Sequence, residues 1–173
     1  MFLTFPSKTL FVFLLIALTS LVFGIIPSFA QGDKSTYECD GLFKGGKKPT
    51  VEQLEQIFQE HTKWIESEEK EGTRAKLCGA NLTKAHLSMA HLTKADLTKA
   101  NLTKAYLIKA DLTKANLSKA ELRGANLSKA NLAGATLTNV KNLIQSQLNQ
   151  ACVDEDTTLP EGLTRPAPCG EEE

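Results

Sequence analysis

Ala95-Asp96-Leu97-Thr98-Lys99-Ala100-Asn101-Leu102-Thr103-Lys104 repeats one five-residue pattern. Leucine recurs at every fifth position: Leu77, Leu82, Leu87, Leu92, Leu97, Leu102, Leu107, Leu112, Leu117, Leu122, Leu127, Leu132 and Leu137. Two residues before each stands an alanine, from Ala75 and Ala80 to Ala130 and Ala135. A period of five matches neither the 3.6 of a helix nor the 2 of a flat strand. On a helix these leucines would wind around the axis and leave no face to bury. Residues 75–139 therefore form a repeat array, stacked unit upon unit.

The unit, approximately Ala-[Asp/Asn]-Leu-x-x, resembles that of the pentapeptide repeat family. Ala80-Asn81-Leu82-Thr83-Lys84, Ala95-Asp96-Leu97-Thr98-Lys99 and Ala125-Asn126-Leu127-Ser128-Lys129 match it closely. The resemblance implies an all-β solenoid, a right-handed quadrilateral β-helix in which four units make one square coil. Residues 75–139 would supply about three coils, with residues i and i+20 stacked. Leucine and alanine point into the bore, where alanine is needed because two large side chains per unit would not fit. The other three positions point out.

Small helical caps are expected at both ends. In residues 31–74, Thr50 reads as an N-cap with Gln53 at the capping-box position. Val51, Leu54, Ile57, Phe58, His61 and Ile65 follow at helical spacing with Trp64 beside them, and Gly72 reads as the stop. This helix would cover the first coil, with His61 on its packed side. In residues 140–173, Leu143, Ile144, Leu148 and Ala151 suggest a short closing helix. An extended tail from Asp154 follows, with Pro160, Pro166 and Pro168.

Residues 1–30 read as a cleaved export signal: Lys8, an apolar run from Leu10 to Ile26, then Ser28 and Ala30 as small residues before the cut. An uncleaved membrane anchor is the competing reading. Export places the chain in a periplasm, a thylakoid-type lumen or the extracellular space. There, four cysteines favour disulfides. Cys39–Cys78 and Cys152–Cys169 are the preferred pairs, each tying a terminal segment to its own base. Six of the eight phenylalanines (Phe2, Phe5, Phe11, Phe13, Phe23 and Phe29) lie in the signal, so no aromatic core is expected in the mature chain.

The whole chain has no net charge, with 20 basic and 20 acidic residues. That zero conceals a segregation. The repeats hold ten basic and three acidic side chains, a net +7, between flanks of −3 (residues 31–74) and −5 (residues 140–173). By the i+20 rule Lys99 and Lys119 stack, as do Lys84 and Lys104, Lys109 and Lys129, and Lys94 and Lys114. These ladders, with Tyr106 and Ile108, are the candidate interaction residues. His86 and His91 occupy one repeat position on neighbouring faces and are expected to be exposed.

Catalysis is not expected. The sequence has no phosphate loop, nucleophile elbow or paired-His metal motif, and no cofactor is implied. Asp96, Asp111 and Glu121 fall on three different faces, so they make no carboxylate pair. The expectation is a non-catalytic structural or protein-interaction module with a protein as partner. The alternative is electrostatic binding of an anionic polysaccharide or lipid surface by the lysine ladders. Gyrase-directed relatives imitate DNA with acidic coils; these coils are basic, so that role is not expected.

Overall fold

Every backbone N–H of the unit 95–99 finds an acceptor, and the repeat follows from where each one goes. Ala95 closes a turn onto the Leu92 carbonyl at 2.9 Å, and Asp96 donates to Ala75 of the preceding coil at 2.9 Å. Leu97 and Lys99 donate to Asn116 and Ser118 of the following coil at 2.8 and 2.9 Å. The remaining N–H, that of Thr98, is accepted by the Asp96 side chain at 3.0 Å. An Asx-type bond two residues on is what Asp and Asn make readily, so their place in the unit has a backbone cause.

The computed structural model describes Phe43 and residues 45–166, all within the unit Glu38–Glu173. The expected signal at residues 1–30, along with Cys39 and Cys169, lies outside the described residues. Parallel bridges at i+20 form four ladders. We name these faces by a member: the Asp96 face (Lys76, Asp96, Asn116, Thr136, Thr158), the Glu121 face (Asn81, Asn101, Glu121, Lys141), the Tyr106 face (His86, Tyr106, Asn126) and the Asp111 face (His91, Asp111, Asn131, Cys152). All thirteen repeat leucines are at most 1% exposed and fill the bore with the alanines.

At each corner the carbonyl of the leucine accepts the N–H three residues on, as Leu82 does from Ala85 at 3.0 Å. The residue between, at the fifth position of the unit, has positive φ, the signature of a type II turn. Gly79, Gly124 and Gly134 take this conformation without steric cost. Eight lysines take it with φ between 55° and 61°.

The array has more turns than the repeat alone suggests. The Asp96 face carries five rungs, hence four turns where about three were expected. Beyond Lys141 the register slips: Asn131 pairs with Cys152 and Thr136 with Thr158, intervals of 21 and 22 residues. Leu148, Ala151, Val153 and Thr157 fill this last turn at irregular spacing, so no leucine period marks it. Asp154 accordingly opens a turn closed by the Thr157 N–H at 3.3 Å, and the chain there is not an extended tail.

Helix α1, Val51–Glu66, covers the first coil. Thr50 Oγ1 accepts the Gln53 N–H at 3.2 Å, and Gln53 Oε1 accepts the Thr50 N–H at 3.0 Å. Leu54, Ile57 and Phe58 pack on the core, whereas Val51, in the first turn, is 67% exposed. The helix stops at Glu66, six residues before Gly72. Glu68 and Glu69 donate back to the Ile65 and Trp64 carbonyls, a Schellman closure with Glu68 at φ 54° in the place glycine usually takes. Gly72 instead lets the chain pass against the helix, where a Cβ would lie 2.3 Å from the Glu60 carbonyl oxygen. At the other end α2 is a single turn, Gln145–Leu148, with Leu148 buried and Ile144 57% exposed.

Candidate functional site

The bore is closed by its own side chains, so chemistry is confined to the outside. The corner columns project their side chains at fixed directions, about 4.8 Å apart along the axis. Lys84, Lys94, Lys99, Lys104, Lys109, Lys114, Lys119 and Lys129 are all exposed at corners. Where a lysine stacks over glycine its stem lies along the column: a Cβ on Gly134 would stand 3.1 Å from Lys114 Cγ.

The lysines are not equivalent. Lys94 is engaged by the amino-terminal cap, pairing with Glu69 and lying 5.8 Å from the centre of the Trp64 ring. Among the described residues Lys84, Lys99, Lys104, Lys109, Lys114 and Lys119 make no salt bridge. A shallow, open groove lies between Lys99, Lys119 and Asn139 on one side and Asn101, Glu121 and Lys141 on the other. Glu121, on one side of it, is bound by Asn142 Nδ2 at 2.8 and 2.9 Å and approached by Arg123 at 3.9 Å.

Tyr106 and Ile108 share a face, Tyr106 43% exposed and Ile108 half-buried. The His86 ring stacks on Tyr106 from the preceding coil, centroids 4.8 Å apart and planes 10° from parallel. The i+20 rule was sufficient to pair these two residues, yet reading the histidines by their repeat position hid it. His91 stands on the Asp111 face, near Asp111. Burial of Asp111 raises its pKa, but hydrogen bonds from the Thr113 hydroxyl and N–H and from the Thr93 hydroxyl, with His91 nearby, hold it below the ordinary carboxylate value. The three acids Asp96, Asp111 and Glu121 lie on three separate ladders. Among the described residues no three His, Cys, Asp or Glu side chains converge as metal ligands would.

Cys78 is buried in the first coil and Cys152 is a rung of the last, and neither is a free thiol. Two residues important at the ends escaped sequence reading: Gln147, which binds the Leu122–Ala125 corner, and Lys47, whose carbonyl accepts the Asn81 N–H at 2.9 Å; Ala75 was read as the first repeat alanine, but not as the donor to His61. The left-handed corners did leave a signal, because Gly79, Gly124, Gly134 and Asn139 share a column with the lysines.

Residues 73–107 and 105–141 match the model of pentapeptide repeats, with eight copies. The repeat array of this chain belongs to the pentapeptide repeat family. The family fold is the right-handed quadrilateral β-helix, and the four ladders of this pentapeptide repeat protein fit it. The chain is similar to a pentapeptide repeat protein (Rfr23) from the cyanobacterium Cyanothece 51142, with 34% identity over 47% of this chain and 58% of that one, at a TM-score of 0.34. It is also similar to HetL, a pentapeptide repeat protein involved in heterocyst differentiation regulation from the cyanobacterium Nostoc sp. strain PCC 7120. That match has 27% identity over 46% of this chain and 54% of that one, at a TM-score of 0.21. The chain thus spans little more than half the length of either solved relative. No curated protein matches it.

Proposed function

We propose that this pentapeptide repeat protein is an exported, non-catalytic structural and protein-interaction module, stapled by Cys39–Cys78 and Cys152–Cys169. The observation that carries the reading is the filled bore: thirteen leucines and their alanines leave no interior site, while every distinctive group stands on a rigid exterior. Proteins of this family are generally non-enzymatic. Affinity capture from the exporting compartment, with the mature chain as bait, tests the reading. A specific protein retained at physiological salt is the expected result, and no retained protein in any condition overturns it. Mass spectrometry of the exported protein should begin at Gln31 or close to it, and unreduced peptide maps should pair the cysteines as stated.

A second reading is electrostatic binding of an anionic polysaccharide or lipid surface. It is supported by six corner lysines without an ion-pair partner among the described residues. Salt titration against anionic vesicles and polysaccharide separates the two, because charge-only binding weakens steeply as salt rises. Absence of salt-sensitive binding at low ionic strength sinks this alternative.

A further inference from the structure

The four faces differ in one respect that the lysine columns hide. Asp96, Glu121 and Asp111 each give a carboxylate to one ladder, and the Tyr106 face has none among its rungs. It is bordered by Lys84, Lys104 and Lys109, which make no salt bridge among the described residues. Its centre, Tyr106 with Ile108, is apolar. At its corner Met89, the one apolar side chain among the thirteen corner positions, is 68% exposed, and the Met89 backbone N–H donates to the Ile108 carbonyl at 2.8 Å. His86 completes the patch.

The patch also costs local hydrogen bonds. Eight units satisfy their fourth N–H through the side chain at the second position: Asn81, Asp96, Asn101, Asp111, Asn116, Glu121, Asn126 and Asn131. The other five units, with Lys76, His86, His91, Tyr106 and Thr136 at that position, make no such bond, and only His86 and Tyr106 among them are adjacent on one ladder. Two neighbouring rungs thus forgo a stabilising contact and present a stacked pair outward.

We infer that the Tyr106 face is the docking surface of this module and that it takes an acidic protein segment with an apolar residue at its centre. The inference rests on the interaction reading above and names its surface and partner chemistry. Charge complementarity requires carboxylates against Lys84, Lys104 and Lys109. The choice of protein over polysaccharide follows from the stack. At 4.8 Å and 10° each ring covers the inner face of the other, and the Asn126 rung stands beyond Tyr106, so the pair offers mainly its edges and the outer face of His86. A sugar platform uses broad ring faces, whereas an aliphatic or aromatic side chain also packs against ring edges and Met89. Aromatic and Met side chains within a polar rim are also enriched at protein interfaces.

The test uses the full mature chain and fluorescein-labelled polyglutamate peptides, with and without a central Leu-Phe pair, beside labelled polygalacturonate. The Leu-Phe peptide is expected to bind tightest, by about tenfold over plain polyglutamate, since a buried anchor dominates such contacts. Tyr106→Asn supplies the residue that restores the local hydrogen bond. It should keep or raise the melting temperature while weakening the Leu-Phe peptide by about tenfold. Lys104→Ala with Lys109→Ala should weaken both peptides, and Lys99→Ala with Lys119→Ala, on another corner, neither. Equal binding of the two peptides, tighter binding of polygalacturonate, or no effect of Tyr106→Asn overturns the inference. A partner captured by wild type and still captured by Tyr106→Asn rejects this surface while the interaction reading stands.

Discussion

His61 Nδ1 accepts the backbone N–H of Ala75 at 3.1 Å. In every later unit the N–H of the alanine closes a turn onto the leucine three residues before it; Ala75 opens the array and has no such leucine. The buried imidazole, 0% exposed and stacked 5.6 Å from Trp64, supplies the missing acceptor. Acceptance at Nδ1 puts the proton of the neutral ring on Nε2, which is buried without a hydrogen-bond partner.

That arrangement makes the amino-terminal end acid-sensitive. Burial lowers the His61 pKa most; the Thr93 carbonyl opposes this, and the charges of Arg74 and His91 reinforce it. A histidine depressed in the folded state takes up protons first in the unfolded chain, so its contribution is whole above an unfolded pKa of about 6.5 and drains as pH falls through the folded value. The urea midpoint should decline as pH drops from about 7 to about 5. His61→Asn, which retains an acceptor near Nδ1 and cannot titrate, should flatten this part of the profile. His61→Ala should cost about 1–3 kcal/mol by orphaning the Ala75 N–H. The depressed pKa values of Asp111 and Asp154 act separately, their stabilisation being lost only below about pH 4.

Gln147 performs the matching task at the carboxyl end. Its Nε2 donates to the Leu122 and Ala125 carbonyls at 2.9 and 2.7 Å, while its Oε1 accepts the Ile144 N–H at 3.2 Å. Gln147→Ala should cost about 1–3 kcal/mol in urea unfolding. Gln147→Glu should cost more, because a carboxylate has no hydrogen to donate and faces two carbonyl oxygens. Amide exchange across residues 122–129 should accelerate in both variants; an unchanged rate would show that the corner holds without this side chain.

The corner columns allow a comparison of two glycines in one conformation. Gly124 and Gly134 have φ of 62° and 64°, but a Cβ meets Lys104 Cγ at 3.6 Å in the first and Lys114 Cγ at 3.1 Å in the second. Gly124→Ala should lose only the left-handed strain, about 1 kcal/mol. Gly134→Ala should lose that and the cost of moving the Lys114 stem. Thermal unfolding of both variants, and of Gly134→Ala with Lys114→Ala, checks it: the double variant should return to the level of Gly124→Ala.

Leu107 lies in the middle of the bore at 0% exposure. Leu107→Ala should destabilise by about 2–5 kcal/mol, since rigid coils above and below cannot collapse onto the space. Equilibrium urea unfolding gives the number, and a loss under about 1 kcal/mol would mean the bore repacks.

The repeat made the bore readable, because the inward leucines depend on a five-residue rule alone, and the four-sided coil with its twenty-residue stacking came from the resemblance to the family. Asn101 shows how local the code is: one side chain meets the one N–H that neighbouring coils leave over. The last turn was unreadable for the opposite reason. Leu148, Ala151, Val153 and Thr157 meet the bore at unequal spacings, and Thr157 Oγ1 lies 3.0 Å from the Leu132 carbonyl, 25 residues away. No periodicity announces such a contact.

The sequence alone thus determined the family, the inward leucines and the +7 array between acidic flanks, all of which follow from a short-range rule repeated thirteen times. The tertiary structure alone decided how the array begins and ends and what its lysines face: His61 on Ala75, Gln147 on the Leu122–Ala125 corner, and Lys94 drawn to Glu69. The physical reason is that repeats bury themselves against identical neighbours, whereas ends and faces are settled by single side chains that have no counterpart elsewhere in the array.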